Sequence, residues 1–156
     1  MEKAFDTGKY IRIQSYSNEI YEKIIEEEAA VCGLTRPEAD VLLFFANNPE
    51  FHSAVDAARF RGVSKAYVSK ALVHLADKEY ITARVDEDDH RFQKIFVTDK
   101  ARGAIVRLQD AQQRFAQVIT RHLTASERQE LSDLVPILLQ NVSQVYSEEM
   151  GKEIPR

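Results

Sequence analysis

The stretch Ser53–Asp77, SAVDAARFRGVSKAYVSKALVHLAD, decides how the chain is read. It divides into a short helix, a tight turn at Gly62 and a second helix from about Ser64. Ala58 stands four residues before Gly62, and Val68 six after it. A small residue where two helices cross, a glycine at the turn and a branched apolar residue in the second helix give the rhythm of a helix-turn-helix. Between Ala57 and Ala76 lie Arg59, Arg61, Lys65 and Lys70, with no acid among them. In a chain of net charge -4, that local reversal of sign implies a surface built for a polyanion.

Winding the second helix at ~100° per residue separates two faces. Val68, Ala71, Leu72 and Leu75 fall on one side and are expected to pack on the preceding helices. Lys65, Ala66, Ser69, Lys70 and Val73 fall on the other. That exposed mixture suits the major groove: lysine donates to guanine O6 and N7, serine serves either role, and a methyl group meets a thymine methyl. Ser64 is expected to cap the helix, leaving neighbouring amides to face a phosphate. Arg59 and Arg61 are expected at backbone phosphates rather than bases. A plain surface helix would carry similar charge; the turn, the caps and the separation of faces together favour nucleic acid.

The flanking sequence supplies the support. Ile13, Tyr16, Ile20 and Ile24 recur at helical spacing, so one long amphipathic helix is expected from about Tyr10 to Ala30, ended by Cys32-Gly33. Glu26, Glu27 and Glu28, near its end, read as a solvated face. Thr35, Pro37 and Glu38 form the signature of a capping box opening a second helix, with Val41, Leu42 and Phe45 as its buried stripe. Asn47-Asn48-Pro49 ends it, and Ser53 with Asp56 starts the next helix. From Asp99 to about Arg121, Ile105, Leu108, Ala111, Phe115, Val118 and His122 mark another long helix. Thr124 and Glu127 cap a last one carrying Leu131, Leu134, Leu138 and Val145, with a kink expected at Pro136. Apolar stripes of this length exceed what one small core can bury, which implies a second copy of the chain as partner.

After the helix-turn-helix, Ile81–Val85 and Phe92–Thr98 are β-type runs around the polar segment DEDDHR. Helices followed by such a hairpin make a winged helix. Arg91 at the wing tip could enter the narrow, negative minor groove, with Asp89 holding its guanidinium. Asp86, Glu87, Asp88 and Asp89 make the loop acidic, so a merely solvated turn stands as the alternative. The fold class expected is therefore mainly α with a small β-hairpin wing (α+β), a winged helix-turn-helix flanked by long N- and C-terminal dimerisation helices. It divides into 1–34 (dimerisation helix), 35–98 (DNA-binding domain) and 99–156 (dimerisation helices).

Composition narrows the class. A chain of 156 residues with 44% hydrophobic and 29% charged residues is long enough for one core plus oligomerisation helices. No apolar run reaches membrane-spanning length and no signal-peptide core is evident, so a cytoplasmic place is expected. The single cysteine, Cys32, excludes an intrachain disulfide. It follows an acidic helix end, which favours an ordinary thiol over a sensor. His52, His74, His90 and His122 are scattered, so no metal site and no cofactor are expected. Phe5, Tyr10, Tyr16, Tyr21 and Phe115 could line an effector pocket, though aromatics at this spacing are more often core. No phosphate-binding glycine loop, HExxH or nucleophile-base pattern occurs, so no catalytic residue is expected. The rival to a DNA-binding regulator is a winged-helix protein-interaction module without direct DNA readout.

The chain resembles the MarR family of winged-helix transcriptional regulators. The resemblance is carried by GLTRPEADVLLFFA (33–46), VSKAYVSKALVHLADKEYITARV (63–85) and DDHRFQKIFVTDKARG (88–103), in order and at the right spacing. Leu75 to Arg84 matches the run that leads into the family's wing, with Tyr80 where glycine is common, and Asp89 and Arg91 match the wing's Asp-x-Arg. The resemblance adds Arg84 to the DNA-binding residues. It implies a homodimer joined through the first helix and the last two, with recognition helices in successive major grooves of a near-palindrome in double-stranded DNA. It further implies a repressor controlled by a small-molecule effector bound between the dimer helices and the winged domain.

Overall fold

The computed structural model describes residues 4–151. Their order is α1 (Thr7–Val31), α2 (Arg36–Asn47), α3 (Ala54–Arg61), α4 (Lys65–Asp77), β1 (Ile81–Val85), β2 (Gln93–Val97), a 3-10 turn (Asp99–Ala101), α5 (Arg102–Thr120) and α6 (Ala125–Met150). The architecture is the expected winged helix between long terminal helices. The extreme residues of the segments 1–34 and 99–156 lie outside the described ones.

Local side-chain chemistry sets the helix starts. Thr35 Oγ1 accepts from the Glu38 amide while Glu38 Oε2 accepts from the Thr35 amide at 3.0 Å. Thr124 and Glu127 repeat this reciprocal box at α6. Ser53 caps α3 through the Asp56 amide at 3.0 Å, and Ser64 caps α4 through the Tyr67 amide at 3.1 Å. Each cap is worth ~1 kcal/mol because it satisfies an amide the helix cannot. Gly62 ends α3 at φ +65°, a left-handed conformation that only glycine adopts without strain. Between α4 and β1 no glycine is present, and Glu79 takes φ +60° instead. The Tyr80 amide donating to Leu75 O at 2.9 Å and the Glu79 amide to Ala76 O at 2.8 Å close the turn.

The core centres on α2, which packs against α1, α3, α4, α5 and β2. Every residue from Glu38 to Phe45 is buried, so the expected stripe of Val41, Leu42 and Phe45 widens to the whole circumference. A helix enclosed by neighbours on all sides has no solvent face to keep polar. Ile25 and Ala29 of α1, Val68, Ala71 and Leu75 of α4, Ile81 and Ile95 of the wing and Leu108 and Ala111 of α5 complete the core.

The acidic triple of α1 departs from its expected solvated role. Glu28 is only 8% exposed, and its carboxylate accepts from Arg107 Nε and Arg114 Nη2 of α5, both at 2.7 Å. The pairs lie seven residues apart on α5 and fasten α1 along it. Glu26 and Glu27 remain exposed.

β1 and β2 pair antiparallel, Ile81 opposite Val97 and Val85 opposite Gln93. The far edge of β2 is tied to the body by the Ile95 amide donating to His52 O at 2.8 Å. The wing is therefore anchored at its base and free at its tip. α6 stands apart: it runs through Pro136, and none of its residues is buried. Leu131, Leu134, Val135, Leu138, Val142 and Val145 lie on one side of it and are all exposed. Val142, Val145, Tyr146 and Met150 line a shallow apolar groove of about 430 Å³ along its second half. Ile13, Tyr16 and Ile20 of α1 and Val118 and Ile119 of α5 are exposed as well.

Candidate nucleic-acid interface

α4 presents the two faces its sequence requires. Val68 and Leu75 are 0% exposed and Ala71 is buried, whereas Lys65, Ala66, Ser69, Lys70 and Val73 are all exposed. Leu72 is half-buried at the boundary. Among the described residues, Lys65, Lys70 and Arg59 take part in no ion pair, so their charge is available to a ligand. Ser64 lies exposed at the start of the helix, where the unpaired amides favour an anion.

Arg61, unlike Arg59, is engaged within the chain. Its Nη2 donates to Asp40 Oδ1 at 2.7 Å, and less than a third of the side chain is exposed. Asp40, 6% exposed, also accepts from Arg36 Nε at 3.0 Å and from Tyr67 Oη at 3.1 Å. Arg61 thus braces α3 on α2, leaving Arg59 as the free cation of that helix.

A second buried acid works beside it. Glu38 is 2% exposed and accepts from Lys78 Nζ at 2.6 Å and His74 Nδ1 at 3.0 Å, both at the C-terminal end of α4. Burial alone would raise its carboxyl; the contacts from Lys78, the Thr35 amide and His74 outweigh that and hold it below the ordinary range. Of these contacts only the Thr35–Glu38 capping bond and Arg36–Asp40, four residues apart on one helix, carry a local sequence signal.

At the wing, Asp89 grips Arg91 with both oxygens, Nε to Oδ1 at 3.0 Å and Nη2 to Oδ2 at 2.8 Å. The same carboxylate accepts the Arg91 amide, and its pKa is lowered by these bonds. Arg91 remains 85% exposed at the tip. Asp86 is turned inward, accepting from Lys94 Nζ at 2.8 Å and from the Asp88 and Asp89 amides. Those donors, Lys94 first, lower its pKa to about 2. Two of the loop's four acids are therefore occupied within the wing, and Glu87 and Asp88 remain outward. Arg84 lies exposed on β1, its guanidinium 5.2 Å from the centre of the Phe96 ring.

Residues 33–91 match the MarR family. Over most of its length the chain superposes on a MarR transcriptional regulator from Methanosarcina mazei Go1, with TM-score 0.75 and 15% identity over 90% of this chain and 99% of that one. A MarR protein from Peptoclostridium difficile gives TM-score 0.74 and 19% identity, with 95% of each chain covered. The MepR–DNA complex of S. aureus gives 0.64 and 15%, covering 90% and 99%. At these identities the likeness is one of fold. No curated protein matches the sequence.

Away from the exposed strip and wing, Cys32 is half-buried; burial, then the Glu28 charge, push its thiol up, away from the reactive range. Tyr21 and Phe115 meet edge-on across α1 and α5 at 5.2 Å, and Phe5 and Tyr10 form a separate pair. Among the described residues, no group of three His, Cys, Asp or Glu could hold a metal ion, and no helix is long and apolar enough to cross a membrane.

Proposed function

We propose that this chain is a sequence-specific, double-stranded-DNA-binding transcriptional regulator acting as a homodimer. The observation that carries the reading is the split of α4: apolar anchors at Val68, Ala71 and Leu75 are buried, and an unpaired cationic strip from Lys65 to Lys70 faces outward. In this reading α4 enters the major groove with Lys65, Ala66, Ser69, Lys70 and Val73 toward the base edges. Ser64 and Arg59 meet phosphates, and Arg84 and Arg91 reach the flanking minor groove with Asp89 as support. The exposed apolar faces of α1, α5 and α6 support a second copy as the missing partner. Repression of a near-palindromic operator, release by a small molecule held between the dimer helices and the winged domain, and a cytoplasmic place complete the proposal.

The test is Lys65→Ala combined with Lys70→Ala. Both side chains are exposed and unpaired, so the melting temperature and helix content should stay unchanged. Affinity should fall ~10- to 100-fold, as expected for one or two good base or phosphate contacts. The log–log salt slope should flatten by ~0.9 for each phosphate no longer neutralised. Retained affinity with an unaltered slope would remove α4 from the interface and favour the protein-interaction module.

A further inference from the structure

α4 is held by directional bonds on the flank away from its exposed strip. At ~100° per residue, Tyr67, His74 and Lys78 fall within about 40° of one another, roughly opposite Ser69 and Val73. All three are taken by carboxylates of α2. Tyr67 Oη donates to Asp40, while His74 Nδ1 and Lys78 Nζ bond the two oxygens of Glu38. These attachments span roughly 16 Å of the helix axis. Each carboxylate is fixed in turn: Glu38 by the Thr35 amide, Asp40 by Arg36 and Arg61.

The apolar anchors cannot do this work alone. Burial of Val68, Ala71 and Leu75 is non-directional and allows a helix to roll slightly in its seat, whereas hydrogen bonds at both ends oppose that roll. Base readout needs its side chains held to about 0.5 Å and 10–20°. We infer that Glu38 and Asp40 are positioning residues for DNA recognition, setting through Tyr67, His74 and Lys78 the rotation of α4 that aims Lys65, Ser69 and Lys70. This rests on the DNA reading above. The carboxylates themselves touch no DNA; they act at one remove.

Charge makes the role separable from bulk electrostatics. Asp40→Asn removes a negative charge, so a purely electrostatic effect would strengthen binding to a polyanion. Positioning requires the opposite sign. On a duplex recovered by the wild-type protein from a random pool, Asp40→Asn should bind about tenfold more weakly per folded molecule. Tyr67→Phe, which changes no charge and removes one hydroxyl, should weaken binding in the same direction and flatten the salt slope by ~0.9, although no cation has been removed. Circular dichroism at the assay temperature gives the folded fraction. Unchanged or tighter binding by Asp40→Asn, or a Tyr67→Phe slope equal to wild type, overturns the positioning role alone. If the wild-type protein recovers no duplex, the DNA reading fails and this inference fails with it.

Discussion

If the chain pairs through α6 as proposed, replacing Leu138 and Val142 together by aspartate should leave it monomeric at concentrations where the unaltered protein dimerises. The two residues sit mid-way along α6 on its apolar side, 42% and 50% exposed within one chain. In a two-fold interface each change occurs twice, so four apolar side chains are removed. At ~1.5 kcal/mol each, the low end for burying such a side chain, the loss is ~6 kcal/mol, more than 10⁴-fold in the dissociation constant. Burying the new carboxylates would add to it. α6 packs on no other element extensively and contributes nothing to its own chain's core, so the winged helix should survive the change. α6 itself should fray, because most helical stability in proteins comes from tertiary packing. Sedimentation equilibrium reads the first effect and far-ultraviolet circular dichroism the second. A dimer of undiminished affinity would place the interface elsewhere.

A large loss of stability is expected at Glu38. Glu38→Ala removes an amide cap and the bonds to Lys78 and His74. Hydrogen bonds to charged groups contribute ~1.5–3 kcal/mol each. Lys78 and His74 are 36% and 46% exposed, so both can turn to water rather than be stranded, which lowers the cost. A net loss of ~2–3 kcal/mol should lower the melting temperature by about 5–10 °C in a chain of this size. The pH dependence follows from the depressed carboxyl. Glu38 ionises more readily in the folded state than its ordinary value of 4.5, so the folded form is favoured wherever the carboxylate is charged. That contribution is complete above the ordinary value and is lost as pH falls through the lower, folded one. From about pH 8 down to 5 it should be constant. Thermal denaturation of Glu38→Gln across the acid range checks this: its curve should be shallower below pH 4.5 than that of the natural protein. Parallel acid curves would mean that Glu38 is not the group being titrated.

What could be read in the chain follows from the range of each interaction. The caps at Thr35, Ser53, Ser64 and Thr124 act over three residues, so residue type and spacing reveal them directly. Gly62 announces its left-handed turn because few other residues tolerate one. The faces of α4 follow from helix periodicity alone. Glu79 is different: nothing about a glutamate signals φ +60°, and the turn is fixed by backbone bonds that exist only once α4 and β1 are in place.

The buried acids were least legible. Glu28 meets Arg107 and Arg114 across 79 and 86 residues, and Glu38 meets Lys78 across 40. In sequence these carboxylates look like their solvated neighbours, because burial is decided by what arrives from elsewhere. Arg61 shows the converse. It reads as one more cation on a basic helix until Asp40, 21 residues away, is found against it. The wing lies between these cases. Asp89 and Arg91 are two residues apart and pair as their spacing suggests, while the inward turn of Asp86 depends on Lys94 across the hairpin.

The most direct measurement is selection of duplexes from a random pool by the purified protein, followed by the stoichiometry of the complex on the duplex recovered. Two chains whose α4 strips enter successive major grooves should enrich two related half-sites ~34 Å apart, one helical turn, and bind them as two chains per duplex. Recovery of no common sequence, or of a single half-site bound by one chain, would contradict it.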